Sequence, residues 1–266
     1  EMLDTQVRIS CDSLYRHPAV YWLLGDSLHP GGLDLTGRLA EKLGLSGESL
    51  VLDVATGRGT SPRYLAKEVG CTVIGVDLVQ ESLSQARKLS VKENLTGFTD
   101  YFRGDAEALP IATGSVDAVI CECSFSIFPD KVLAAQEMAR VLKPGGVVGI
   151  SDVTCITELP EILQGALARV ACLADVRNPS NYRSILAEAG FQGIEIEDQG
   201  DKLEELASKV KKKLAPLRLM LKLGSLRVPG LERGAASKVM ELLTEVEGLI
   251  HDRTLSYCLI TARKPL

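Results

Sequence analysis

The sequence has little histidine, few aromatic residues and no long apolar run. It contains three histidines among 266 residues, and phenylalanine, tryptophan and tyrosine together make up 5%. No apolar run approaches the roughly 20 residues that a membrane-spanning helix requires. The N-terminal segment also lacks a secretory signal pattern, and because the chain starts at Glu1 instead of Met we expect its natural start to be trimmed. We therefore expect a protein that does not span a membrane.

A strong charge of one sign is missing as well. The formal net charge is −5 and the sequence pI is about 5.4. A weakly acidic chain without a basic, aromatic surface gains little attraction to nucleic acid or to anionic lipid. The charge therefore favours a small-molecule substrate and predicts no nucleic-acid partner.

The cysteines form no recognisable disulfide or zinc pattern. Seven are dispersed along the chain, and only Cys121 and Cys123 lie close together, as C-x-C instead of the repeated C-x-x-C of a zinc site. An odd, dispersed set of cysteines argues against a disulfide framework and favours a reducing compartment. We expect a cytoplasmic protein with no bound metal.

Apolar strands alternate with helices from residue 49 onward, which predicts an α/β fold with a parallel sheet covered on both faces. The predicted strands are Ser49–Val54, Cys71–Val76, Phe98–Arg103, Ser115–Cys121, Val147–Val153, Phe191–Glu197 and Leu255–Ala262. The predicted helices are Ser61–Val69, Glu81–Glu93, Lys131–Val141 and Asn181–Ala189.

The pattern also predicts a domain organisation. Residues 1–47 form a helical N-terminal cap, 48–200 the core, 201–253 a helical insertion and 254–266 the final strand of the core sheet. The insertion is too long for a plain connection between two strands. It forms a helix packed on the sheet or on a partner chain, which would allow a homodimer, or it forms a lid over the substrate.

The strongest local signal is the strand–loop–helix segment Val51–Thr60. Its glycines, Gly57 and Gly59, allow a tight turn and a close approach of a ligand to the backbone. Pro62 stands where a dinucleotide-binding loop has its third glycine. Asp53, just before the loop, would repel a pyrophosphate but would suit a ligand that carries positive charge. The segment therefore predicts a cofactor site that is not built for a dinucleotide.

Two further acids follow the next two predicted strands. Asp77 lies 20 residues after Gly57, where a carboxylate can accept hydrogen bonds from both hydroxyls of a ribose. Asp105 ends the third strand and would reach an adenine amino group. With Asp53, these acids would line one edge of the sheet. The alternative is that Asp77 and Asp105 are only turn or cap residues.

Taken together, four segments resemble the motifs of class I S-adenosylmethionine (SAM) dependent methyltransferases in their usual order. They are Val51–Thr60, Gly75–Asp77, Gly104–Ala106 and Leu142–Gly146, within a resemblance that covers about residues 45–198. The resemblance implies a seven-stranded, mostly parallel, Rossmann-like sheet whose last strand is antiparallel. It also implies SAM as the cofactor.

The resemblance assigns cofactor-binding roles to individual residues. It implies that Asp53, Gly57 and Gly59 surround the methionine part, that Asp77 binds the ribose, and that Asp105 and Ala106 lie near the adenine. The remaining cofactor-binding candidates are Ala55, Leu78 and Glu122. Ala55 departs from the family, which often has glycine at that position.

A narrower resemblance connects the chain with arsenite methyltransferases. It is carried by Cys121–Ser124, Phe128–Lys131, Arg140–Gly146, Ile150–Val153, Cys172 and Ala187–Phe191. It implies that the thiolates of Cys123 and Cys172 hold trivalent arsenic facing the methyl group, as soft ligands for a soft centre.

The sequence also departs from that branch. Its members carry a cysteine just after the glycine loop, where this chain has Thr60, Ser61 and Pro62, and a C-terminal cysteine pair of which only Cys258 remains. Cys121 could replace the missing thiolate, since positions two apart in a strand face the same way. The alternative is that these cysteines are small buried apolar residues.

These observations leave several functions open. The first is methyl transfer from SAM to a small molecule, with a thiolate-bound soft centre such as arsenic(III) as one acceptor. The alternative acceptor is a carbon or oxygen of a quinone-like or natural-product molecule, which would need a base. His29 would be such a base or a substrate contact, although a turn residue is the preferred interpretation. From other classes, a non-catalytic SAM-binding interaction protein remains, and an NAD-dependent oxidoreductase is disfavoured by Asp53 and Pro62.

Overall fold

A computed structural model describes most of the chain. It covers residues 29–157, 159, 175–222 and 244–266, without the side chains of 217–222. The predicted cap before residue 29, Cys172 and part of the predicted insertion lie outside the described residues.

Seven strands form one sheet. They are β1 (Leu50–Val54), β2 (Thr72–Asp77), β3 (Thr99–Arg103), β4 (Val116–Glu122), β5 (Leu142–Cys155), β6 (Gln192–Asp198) and β7 (Leu255–Arg263). Their order across the sheet is β3-β2-β1-β4-β5-β7-β6. The neighbours from β3 to β5 pair in parallel, whereas β7 pairs antiparallel with both β5 and β6. The predicted seven-stranded sheet with an antiparallel last strand is therefore confirmed.

Helices follow most of the strands along the chain. They are α1 (Gly32–Leu43), α2 (Thr60–Glu68), α3 (Gln80–Lys92), α4 (Lys131–Val141), α5 (Pro179–Glu188) and α6 (Gly200–Lys222), and residues 244–251 are also helical. Local chemistry sets two of the helix starts. The side chain of Asp130 accepts a hydrogen bond from the amide of Leu133 at α4, and that of Asn178 accepts one from the amide of Asn181 at α5.

The helices cover both faces of the sheet. One buried cluster contains Met138 of α4 and Leu186 of α5. A second contains Leu39 of α1, Leu65 of α2 and Leu203 of α6. Because each face carries its own apolar cluster, the strands are buried on both sides, as their near-continuous apolar sequences indicated.

One strand differs from its predicted bounds by more than one residue. β5 begins at Leu142, five residues before the predicted start at Val147, so the Pro-Gly-Gly segment lies inside the strand instead of before it. Gly145 adopts a left-handed φ of 74°, and the β4–β5 register shifts between Val116 and Ala118. The glycine therefore bends the chain without ending the strand pairing.

The described part of the insertion is helical and packs on the sheet. Leu203 of α6 and Ile250 lie in the same buried cluster as Tyr257 of β7. This packing favours a sheet-bound helix over a lid for the first turns of α6. Within the described residues, no helix is long and apolar enough to cross a membrane. The homodimer and the four-part division of the chain stay predictions.

The sheet order places a binding edge beside β1. The chain moves from β1 outward to β2 and β3, and then returns to the other side of β1 with β4. In open α/β sheets, ligands bind outside the carboxyl ends of the strands at this switch point. The loop after β1 and the last residues of β4 meet there.

Candidate functional site

The loop between β1 and α2 is built from left-handed residues. Ala55, Gly57 and Gly59 have φ values of 62°, 54° and 67°. Glycine adopts this conformation without strain, whereas an L-residue such as alanine loses about 1–2 kcal/mol. The amide of Thr56 donates to the carbonyl of Val76 at 3.0 Å, which holds the loop against the end of β2. The family often has glycine at position 55, and the left-handed φ of Ala55 explains this preference.

The ring of Tyr101, from β3, packs against the loop at Gly59. Its ring is fully buried, and its hydroxyl lies 3.0 Å from the hydroxyl of Ser90. A Cβ on Gly59 would stand 2.5 Å from the Tyr101 oxygen, and one on Gly75 would stand 2.7 Å from its ring. The two glycines therefore leave the space that this ring fills. No sequence pattern indicated this role of Tyr101, because the ring reaches the loop from β3, two positions away from β1 in the sheet.

Asp53 is buried at the end of β1. It is 3% exposed, and it accepts a hydrogen bond of 2.6 Å from the hydroxyl of Thr56. Burial raises the pKa of this carboxyl well above its ordinary value, the Thr56 hydrogen bond opposes the rise, and the charges of Glu122 and Asp77 add to it. A cation placed here would favour the charged form again. The electrostatics of the site therefore suit a positively charged ligand.

Asp77 at the end of β2 holds two backbone segments. One carboxylate oxygen accepts from the amide of Gly57 at 2.8 Å, and the other accepts from the amide of Val79 at 2.8 Å. A carboxylate accepts hydrogen bonds from hydroxyl groups as well as from amides. The neighbouring Leu78 is 42% exposed and leaves an apolar surface beside the acid.

Asp105 and Ala106 follow β3 along the same edge. The amide of Gly104 donates to the carbonyl of Asp77 at 3.1 Å, which joins the ends of β2 and β3. One oxygen of Asp105 accepts from the amide of Glu107 at 3.1 Å, and Ala106 is buried in the core. Because β1, β2 and β3 are parallel neighbours, the three acids lie along one edge, as predicted. Asp77 and Asp105 each accept a hydrogen bond from an amide two residues further along the chain, so both also act as turn residues.

Glu122, at the end of β4, lies at the centre of a buried polar cluster. The hydroxyl of Thr36 donates to its carboxylate, 3.1 Å from either oxygen, and the hydroxyl of Ser61 donates at 2.5 Å. Nε2 of His29 is 3.9 Å from the same carboxylate, and both side chains are 4% exposed. Ser61 belongs to the first turn of α2, directly after the loop. The cluster therefore joins the candidate cofactor loop to the turn before α1.

Comparison with known proteins is consistent with this geometry. A family model described as a methyltransferase domain matches residues 52–150, which include the loop and the ends of β2, β3 and β4. An arsenite methyltransferase of Halobacterium salinarum is 34% identical over 157 residues, covering 58% of this chain and 40% of that protein. The methyltransferase GfsG of Streptomyces halstedii is 31% identical over 184 residues, covering 67% of this chain and 66% of that protein.

This chain belongs to the class I SAM-dependent methyltransferases. The predicted family and its methyl donor, SAM, are confirmed. Among solved structures, phosphoethanolamine N-methyltransferase 2 of Haemonchus contortus in complex with SAM has the same fold, with a TM-score of 0.77 at 21% identity over 96% of this chain and 57% of that one. The chain thus matches between two fifths and two thirds of the length of these relatives. Their names refer to different acceptors, arsenite in one and phosphoethanolamine in another.

The cysteines of this methyltransferase are arranged differently from the prediction. Cys121 is fully buried in the cluster on one face of the sheet, whereas Cys123 is half-buried and packs against the cluster on the other face. The expectation that the two side chains face the same way is therefore wrong. Cys123 lies just past the end of β4 and has a left-handed φ of 53°, so the alternation of a strand does not extend to it.

The thiolate site itself stays a prediction. Cys172 lies outside the described residues. Among the residues that the structure does describe, no group of three or more histidine, cysteine and acidic side chains is placed to hold a metal ion.

Proposed function

We propose that this methyltransferase transfers the methyl group of SAM to a small molecule bound beside the carboxyl edge of the sheet. The observation that carries the proposal is the negative rim around the left-handed loop. Asp53 is buried with a pKa raised by burial and by neighbouring acids, and Asp77 lies against the amide of Gly57. Such a rim favours a cationic nucleoside over a phosphate-bearing one.

Within this proposal each candidate residue has a defined task. Asp53, Ala55, Gly57 and Gly59 receive the charged methionine part, where the loop backbone comes closest. Asp77 and Leu78 bind the ribose by hydrogen bonds and by apolar contact. Asp105 and Ala106 lie beside the adenine, and Glu122 closes the site on the side of β4.

Bound SAM would supply an activated methyl group on a sulfonium that leaves readily. The protein then has to align the acceptor with that methyl group and keep water away. The burial of Asp53 and Glu122 supports the second task, since both carboxylates are nearly inaccessible to solvent. We infer that the acceptor approaches from the side of β4.

Calorimetry with the purified protein tests cofactor choice. We expect binding of SAM and of its demethylated product, S-adenosylhomocysteine, and no binding of NAD. Release of S-adenosylhomocysteine with a panel of acceptors then tests turnover. Binding without turnover of any acceptor would favour the non-catalytic interaction protein, and affinity for NAD alone would refute the proposal.

A second candidate acceptor is a thiolate-bound soft centre, and the relative from Halobacterium salinarum named an arsenite methyltransferase favours it. The test is turnover of arsenite with glutathione by the wild type, by Cys123→Ser and by Cys172→Ser. Cys71→Ser is the matched control, because Cys71 is buried on the amino-terminal side of β2. Loss of turnover in the first two variants, but not in the control, would support the thiolate site. Unchanged turnover in all three would exclude it.

A further inference from the structure

His29 is a buried histidine in the turn that leads into α1. The residue is 5% exposed, and its carbonyl accepts from the amide of Gly32 at 3.2 Å. Gly31, with a φ of 74°, completes the turn. The ring is thus held inside the protein by a tight turn, beside the polar cluster around Glu122.

The contacts of the ring define where its proton lies. Nδ1 is 3.1 Å from the carbonyl oxygen of Pro30. A carbonyl can only accept a hydrogen bond, so Nδ1 is the donor and carries the proton. In the neutral ring, Nε2 then presents a bare lone pair.

Nε2 has no hydrogen-bond partner among the described residues. An unsatisfied buried polar atom costs about 1–3 kcal/mol, so native structures seldom keep one without a use. An ionisable group lies beside it, Glu122, whose carboxylate oxygen is 3.9 Å away. A neutral Nε2 and a carboxylate cannot share a hydrogen bond, because both are acceptors, but a protonated Nε2 would form an ion pair with Glu122.

Glu122 is held in place for that interaction. Thr36 of α1 and Ser61 of α2 both donate hydroxyl hydrogen bonds to its carboxylate. Ser61 also ties the carboxylate to the helix that begins at the cofactor loop. The histidine and the candidate cofactor site are therefore joined through one rigid carboxylate.

We propose that His29 is the base that takes the proton from the methyl acceptor, with Glu122 stabilising the imidazolium that forms. The inference rests on the proposed methyl transfer. In the step, the acceptor's O–H or N–H proton passes to Nε2 while the acceptor's lone pair forms a bond to the methyl carbon. The carbon–sulfur bond of SAM breaks, and its electron pair stays on sulfur to give S-adenosylhomocysteine. The proton on His29 returns to solvent after product release.

The charges around the base define the class of acceptor. Glu122 from β4 is 3.9 Å from Nε2, and Asp53 from β1 interacts electrostatically with Glu122. From α6, the aliphatic chain of Lys202 passes the turn, while its ammonium pairs with Glu205 at 3.0 Å. The acidic Glu122 beside Nε2 therefore favours an acceptor with a hydroxyl or amine, such as a phenol, over a phosphate-bearing one. An arsenic(III) lone pair carries no proton and would not need this base.

The first experiment reads the tautomer directly. Nitrogen-15 NMR of the full chain bound to S-adenosylhomocysteine resolves the three histidines, and His29→Gln assigns the signal of His29. We expect a proton on Nδ1 and a bare Nε2, in wild type and in Glu122→Gln. A proton on Nε2 in the neutral ring would overturn the proposal, whichever acceptor the enzyme uses.

The second experiment measures turnover with catechol, phenol and a primary amine as probes, and with arsenite plus glutathione as the acceptor without a transferable proton. For a probe with O–H or N–H, we expect His29→Gln to lower kcat by about 10²–10⁴-fold, with the dissociation constant of SAM changed less than twofold. Exposed His251 supplies the matched control, His251→Gln, which should keep wild-type kcat.

The outcomes separate the two proposals. An unchanged kcat in His29→Gln, or turnover of arsenite alone, would overturn the role of His29 and leave methyl transfer standing. Failure of the wild type to bind SAM would refute the proposed function itself. If wild type binds SAM but turns over no probe, the non-catalytic interaction protein is favoured and the role of His29 as a base is overturned with the methyl transfer on which it rests.

Discussion

Gly59→Ala is expected to destabilise the protein more than Gly57→Ala, although both changes place alanine in a left-handed position of the same loop. The φ values are 67° at Gly59 and 54° at Gly57. Either substitution therefore costs about 1–2 kcal/mol for the backbone conformation. The two sites differ in what the new methyl group would meet.

The difference comes from Tyr101. A Cβ at position 57 has no atom within 4 Å, whereas one at position 59 would stand 2.5 Å from the Tyr101 oxygen and 2.6 Å from its Cε1. Overpacking a buried site costs about 1–3 kcal/mol, and we expect this cost in addition to the backbone strain at position 59. The expected loss in free energy of unfolding is about 1–2 kcal/mol for Gly57→Ala and about 2–5 kcal/mol for Gly59→Ala.

Urea-induced unfolding followed by circular dichroism measures both losses. A double-mutant cycle with Tyr101→Leu, which removes the contacting ring atoms, isolates the steric part. We expect the cost of Gly59→Ala to fall by about 1–3 kcal/mol in the Tyr101→Leu background, since contacting residues are not additive. The same background should leave the cost of Gly57→Ala unchanged. Equal costs at positions 57 and 59, or a cycle with no coupling, would refute the role of Tyr101 as the support of the loop.

Three further predictions follow from named contacts. Asp77→Asn should weaken binding of S-adenosylhomocysteine by about 10–100-fold, as expected for loss of a hydrogen bond to a charged acceptor. The control is Asp34→Asn, at an exposed residue, which should leave binding unchanged. Calorimetry that finds the same affinity for the two variants would contradict this prediction. Ala55→Gly should raise the free energy of unfolding by up to about 1 kcal/mol, because glycine relieves the left-handed strain at that residue, and a lower value in urea unfolding would argue against it. Burial raises the pKa of Asp152 to about 6 from an ordinary value of 3.8, so the folded protein holds a proton that the unfolded chain releases between about pH 4 and pH 6. The free energy of unfolding should therefore fall as the pH rises across that window, by an amount on the order of 3 kcal/mol at about 1.4 kcal/mol per pH unit. Asp152→Asn has no such proton, so its free energy of unfolding, measured with urea, should lack this fall. Parallel pH profiles for wild type and variant would contradict the prediction.

Much of the candidate site was predictable because it depends on local sequence. The loop after β1 is predictable from glycine, and the acids Asp53, Asp77 and Asp105 follow predicted strands in a fixed order. Parallel strands bring their carboxyl ends to one edge, so the position of each acid along the chain was enough to place it there. The departure at Ala55 was also visible, and the structure supplies its meaning as a left-handed residue.

The predictions failed or stayed incomplete where the backbone leaves regular geometry. The shared face of Cys121 and Cys123 followed from the alternation of a strand, but β4 ends at Glu122 and Cys123 turns into the left-handed region. The start of β5 was misplaced because a Pro-Gly-Gly segment usually ends pairing, whereas here it bends within the strand.

The sequence by itself determined the fold class, the family and the edge of the sheet that carries the candidate cofactor site, since periodicity, turn residues and the succession of strands along the chain can be read locally. Only the tertiary structure decided which side chains complete that site. Thr36 and Ser61 reach Glu122 from positions 86 and 61 residues away along the chain. His29 joins them because the turn before α1 packs against the end of β4. Such contacts depend on the direction of each side chain after the helices have packed on the sheet, and no local pattern encodes that direction.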